Sequence, residues 1–135
     1  MVLKKIYKSL ILVCLCVFIC CTNKNTNKLS IMKDYECEKI IIEDNYPSHK
    51  VSVITNDSVK SQILNILHKK SHFELCKIPP NMVVTIKTRT HYEKFIICGN
   101  YIKNKGKTYK YPIDIENELS KIRAIYESDN INKKY

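Results

Sequence analysis

Hydrophobic positions along this chain fall into segments of different period. Residues 10–20 form an unbroken apolar run of eleven residues behind Lys4, Lys5 and Lys8. Further on, Ile40-Ile41-Ile42 is a β-branched run flanked by charge, and Lys50-Val51-Ser52-Val53-Ile54 alternates polar and apolar positions. Both patterns predict short strands, over 38–43 and 50–54, and the turn cluster Asn45-Tyr46-Pro47-Ser48 between them predicts a hairpin. From Asp57 the period lengthens: Val59, Ile63, Ile66 and Leu67 share one face of a helix predicted over 57–70. Asn56 or Asp57 can cap its start, and His68-Lys69-Lys70 would complement the negative end of its dipole.

Pro79-Pro80-Asn81 breaks the chain ahead of four β-rich runs, at 82–89, 94–98, 101–103 and 107–111, separated by a short loop and the turn signals Gly99-Asn100 and Asn104-Lys105-Gly106. They predict a meander. Beyond Pro112, Asp114 can cap a last helix whose Ile115, Leu119, Ile122 and Tyr126 again lie on one face. The order β-β-α-β-β-β-β-α lacks the regular alternation of a parallel fold. It predicts an α+β protein: a small antiparallel sheet with two helices packed on one face.

The first apolar run is too short for a spanning helix, which needs about 20 residues. A basic start, a short apolar stretch and a polar continuation, Thr22-Asn23-Lys24-Asn25, are instead the parts of a secretory signal peptide. The run ends in Phe18-Ile19-Cys20-Cys21 rather than in small residues at alternate positions. In this the segment resembles a bacterial lipoprotein, although Phe18 stands where leucine is usual and Cys20 where glycine or alanine is usual. The resemblance implies cleavage before Cys21, lipidation of that cysteine, and attachment of the protein to a membrane of the cell envelope. With Thr22 in place of the aspartate that commonly retains such proteins at the inner membrane, it leans toward the outer membrane of a two-membraned cell. An ordinary cleaved signal or an uncleaved anchor are the alternatives.

The expected organisation is therefore a signal peptide at 1–20, lipidated Cys21 and a polar tether to 34, one α+β domain at 35–128, and a frayed tail at 129–135. The chain carries 23 Lys and Arg against 13 Asp and Glu; removing the signal leaves 20 basic residues and a net charge of +7. That balance suits anionic headgroups, an anionic envelope polymer or another envelope protein, and export argues against nucleic acid.

Motifs for chemistry are sparse. With two glycines there is no phosphate-cradling loop, and there is no Gly-x-Ser-x-Gly elbow. Neither an enzyme nor a cofactor is expected. Cys37, Cys76 and Cys98 are an odd number without close metal-ligand spacing, suited to buried small hydrophobes or to one disulfide with a thiol left over. His68 and His72 are four apart and could reach one metal if both lay on a helix, the one metal-site candidate. In the last meander Tyr101, Lys103, Lys105, Lys107, Tyr109 and Tyr111 interleave aromatic and basic side chains, a surface that could stack on sugars or hold a polyanion. Lysines there would equally deter pairing between sheet edges. The expected function is that of a non-enzymatic binding or structural module. A secreted binding protein, or a metal-binding or enzymatic envelope protein using His68 and His72, stands as the alternative.

Overall fold

β-branched side chains set the first hairpin. Ile40 and Ile42 of β1 (Cys37–Asp44) and Ile54 of β2 (Lys50–Ile54) point to one side and are fully buried. The strands pair antiparallel, with Ile40 opposite Ile54 and Asp44 opposite Lys50. The structure, a computed structural model, describes residues 36–45, 47 and 49–133. The signal-like run, Cys21 and the tether expected after it lie outside the described residues.

Helix α1 (Asp57–Leu67) starts as its cap predicts: the Asn56 side chain accepts a hydrogen bond from the Val59 amide at 3.1 Å. It stops at Leu67, short of the predicted Lys70, with His68 as its C-cap. The basic residues 68–70 lie beyond its last turn. The chain turns there to place β3 (His72–Phe73) against β7 (Lys107–Lys110) on the far edge of the sheet. With two residues β3 has no readable periodicity, so the pattern of the sequence does not announce it.

The predicted meander forms as β4 (Met82–Thr88), β5 (Tyr92–Cys98), β6 (Tyr101–Asn104) and β7. Its last turn is the two-residue loop Lys105-Gly106, both at positive φ (48° and 79°), the conformation that matches the twist of a hairpin. The strands make one seven-stranded antiparallel sheet in the order β2-β1-β4-β5-β6-β7-β3. β4 therefore slots beside β1, and the chain crosses the whole sheet between β2 and β3.

Helix α2 (Ile115–Asn132) begins at the expected cap, with Asp114 accepting from the Asn117 amide at 3.0 Å. It runs through Asn132, so most of the segment expected to fray from residue 129 is helical. A helix already nucleated and packed extends at little cost, even through polar residues. Both helices lie on the same sheet face. Ile63, Leu64 and Leu67 of α1 and Ile115 and Leu119 of α2 join Ile40, Val84, Phe95 and Ile97 in one buried cluster.

Polar contacts pin the helices at defined places. The Gly99 amide donates to the Glu116 carboxylate at 2.7 Å while the Glu116 amide donates to the Gly99 carbonyl at 3.0 Å, so the β5–β6 turn and the start of α2 hold each other. Arg123, 8% exposed, pairs with Asp44 on β1. Lys50 and Ser52 of β2 both donate to Glu127. Burial pushes the Glu127 carboxyl up, but those two hydrogen bonds and the charges of Lys50 and Arg123 outweigh it and hold the group below its ordinary value.

Candidate binding surface

Strand alternation assigns every sheet residue to one of two faces. The helices cover the first. On the second no helix is packed, and the segment after β3 borders only its β7 end, where the Thr108 hydroxyl donates to the Cys76 carbonyl at 3.1 Å. Register places Val51 opposite Glu43, Glu43 opposite Val83, Val83 opposite Ile96 and Ile96 opposite Lys103 in one row across five strands. A neighbouring row on that face holds Val53, Ile41, Thr85 and Lys94. Beyond it Lys39 stands opposite Lys87, and Lys87 opposite Tyr92. The result is an aliphatic centre with lysines around it. Val51 and Val53 on the edge strand are 58% and 46% exposed.

At the other end of the same face, Tyr101 and Lys110 are cross-strand partners and His72 is opposite Lys110. The Lys110 ammonium lies 5.5 Å from the centre of the Tyr101 ring, and Glu74 accepts from the Tyr101 hydroxyl at 3.3 Å. Its bond with Tyr101 and the charge of Glu74 push Lys110 above its ordinary value. Glu74 also lies 3.8 Å from Lys110 and 3.7 Å from His72.

The six residues of the last meander that the sequence grouped do not share a face. Tyr101 and Lys103 lie on the uncovered face. Lys105 sits in the turn, 3.3 Å from the buried Glu93 carboxylate, and Lys107 is exposed at the start of β7. Tyr109 and Tyr111 must be removed from the surface: they are 7% and 1% exposed, on the helix side. Tyr111 donates to the Leu67 carbonyl at 2.7 Å, and burial pushes its phenol up to about 12. The sequence missed the partners that do share the face with Tyr101 and Lys103. Lys87 and Lys94 come from consecutive strands of the meander, whereas Lys39 on β1 joins them only through the sheet order, which no linear motif could show.

The histidine pair is not a helical metal site. His68 caps α1 and His72 belongs to β3, so the spacing of four does not place them on one helix face. Among the described residues no three His, Cys, Asp or Glu side chains group to hold a metal. Cys76 and Cys98 are free thiols, and Cys37 is buried where β1 bulges. Burial, with the carboxylates of Glu116 and Asp114, pushes the Cys98 thiol up and keeps it protonated, the less nucleophilic form.

Two open clefts lie near the β4–β5 turn. One of about 430 Å³ is lined by residues of both charges, Glu36, Glu38 and Arg89 among them, together with His91. The His91 ring nitrogen Nδ1 is 3.3 and 3.1 Å from the Thr88 and Thr90 hydroxyls, and these contacts close the turn. The second cleft, about 290 Å³, is lined by residues 91–94 together with Asn104 and Lys105. The chain matches no protein-family model, no curated protein and no solved structure. Its functional reading therefore rests on its own residues.

Proposed function

We propose that this chain is a lipid-anchored protein of the bacterial cell envelope whose folded domain is a non-enzymatic binding module. The observation that carries the reading is the short apolar run ending at Cys21 behind three lysines. Eleven apolar residues suit a cleaved signal better than a span, and a cysteine at the end supplies a thiol for acylation. No helix of the described residues is long and apolar enough to cross a membrane, so attachment by a lipid at the amino terminus is compatible with the fold. More than one acyl chain would hold the protein stably, whereas one alone binds only marginally. A sheet with one face left uncovered supports binding as the task of the domain. The membrane is the first partner in this reading, and an anionic polymer or a second envelope protein the next. The outer membrane is favoured where the cell has two.

Extraction of the full-length product from bacterial membranes with detergent, followed by mass measurement of its amino terminus, tests the anchor. The expected species begins at Cys21 and carries acyl mass. Replacing Cys21 with serine should leave the signal uncleaved and abolish that mass. An unmodified Cys21, or a terminus at any other residue, would overturn the proposal.

A further inference from the structure

We propose that the uncovered face of the sheet docks flat on an anionic phospholipid surface, which deepens and rests on the membrane-anchored reading. Four lysines of this face, Lys39, Lys87, Lys94 and Lys103, form no ion pair among the described residues, although the sheet brings them together from four different strands. Lys39 and Lys87 stand directly opposite each other in the β1–β4 ladder. Like charges in that position have Cβ atoms about 5 Å apart and destabilise a sheet. An anion between them removes the repulsion. Among the described residues that the strand register assigns to this face, Glu43 is the one carboxylate, and Glu74 at its edge is already engaged by Tyr101 and Lys110.

Charge alone would suit any polyanion. The centre of the face narrows the choice, because Ile41, Val51, Val53 and Ile96 present aliphatic surface between the lysines. A hydrophilic polyanion would leave that surface without a partner. At a bilayer the aliphatic side chains meet the boundary of headgroups and acyl chains while lysine ammoniums reach the phosphates, each held about as firmly as a basic residue near an anionic leaflet. A second copy of this chain is a poorer occupant. A two-fold contact would set one lysine-rimmed face against another.

The path of the chain agrees. Fifteen residues separate Cys21 from Cys37, the start of β1, which lies two positions before Lys39 on the docking face. Even fully extended, a segment of that length spans only about 55 Å, so an anchor at Cys21 keeps the face within reach of the headgroups and favours docking over escape.

The test uses the full chain reconstituted in vesicles, either phosphatidylcholine alone or with about a third phosphatidylglycerol, and reads amine acetylation of each lysine by mass spectrometry. Labelling of Lys39, Lys87, Lys94 and Lys103 is expected to fall about fivefold or more in the anionic vesicles, and to recover in about 0.5 M salt, which shortens the screening length to a few ångströms. Lys69, just beyond the end of α1, and Lys121, on α2, should be unchanged. The double substitution Lys94→Glu and Lys103→Glu, at exposed or half-buried positions, should keep the thermal transition and remove the protection of Lys39 and Lys87. Equal protection in neutral vesicles, or protection that spreads to Lys69 and Lys121, would overturn the proposal. Protection that persists in detergent would assign the face to a second copy, and protection by an anionic polysaccharide but not by vesicles would assign it to a polymer; either result sinks the lipid reading. The uncleaved chain is held in the vesicle by its apolar run without acylation of Cys21, so failure of the anchor proposal and failure of this one are separately visible.

Discussion

Replacing Lys60 with methionine should destabilise the domain by about 3 kcal/mol, from a residue on the helix side of the sheet. The β1–β4 ladder shifts register between Cys37 and Lys39, a bulge that interrupts the regular pairing of the strand. Lys60, 7% exposed on α1, braces it: its ammonium donates to the Cys37 carbonyl at 2.9 Å and the Glu38 carbonyl at 3.1 Å. Asp57 lies 2.8 Å from the same ammonium but is almost wholly in water. Methionine keeps most of the aliphatic stem and deletes both donors. A hydrogen bond to a charged group contributes ~1.5–3 kcal/mol, and relief of the buried ammonium's desolvation offsets part of the combined loss. For a domain of this size the melting temperature should fall by roughly 10–20 °C. Urea unfolding followed by circular dichroism measures it, and an unchanged slope would show that the denatured state is unaltered. Asp57→Asn is the control and should change little. A Lys60→Met midpoint within error of wild type would mean that the bulge needs no donor.

The second large effect depends on pH. Tyr111 is 1% exposed, and its phenol keeps its proton up to about 12, whereas in the unfolded chain it ionises near its ordinary value of 10.0. Burial raises the folded value because the phenolate would lose its water. The stability tied to that proton is fully present below pH 10 and is lost as the pH rises toward 12, by about 2–3 kcal/mol in total. Tyr111→Phe should lack this alkaline component. At neutral pH it should cost ~1 kcal/mol, since the Leu67 carbonyl loses its 2.7 Å donor. Denaturant midpoints of both proteins from pH 8 to pH 12 give the comparison, and the difference between the curves removes the shared titration of the other tyrosines and lysines. Parallel curves would show that the hydroxyl is not held as the fold places it.

Much of the architecture was legible because local pattern and tertiary role agree. Ile40 and Ile42 alternate inward, Asn56 and Asp114 cap where their side chains suggest, and Lys105-Gly106 makes the turn that its composition permits. Where the two levels part, the sequence misleads. Tyr109 and Tyr111 look like members of a basic aromatic surface, but the strand period and the chain's exit toward α2 turn them inward. His68 and His72 have helical spacing, but α1 ends between them because the next residues are needed at the sheet edge. Lys60 reads as a solvated residue of an amphipathic helix, and nothing near it in sequence reveals a bulge 22 residues away.

From order and period alone, the chain determines that its domain is α+β, with a hairpin, a helix, a meander and a closing helix, because those elements depend on residues a few positions apart. The apolar run before Cys21 likewise suggests an address through purely local chemistry. Only the tertiary structure decides that β4 inserts beside β1 and that β3 closes the opposite edge. That order adds Lys39 to Lys87, Lys94 and Lys103 of the meander, and sets the four around an aliphatic centre on a face without a covering helix among the described residues. A surface of that kind is a property of strand pairing across long sequence separations, where hydrogen-bond register and burial outweigh any local signal.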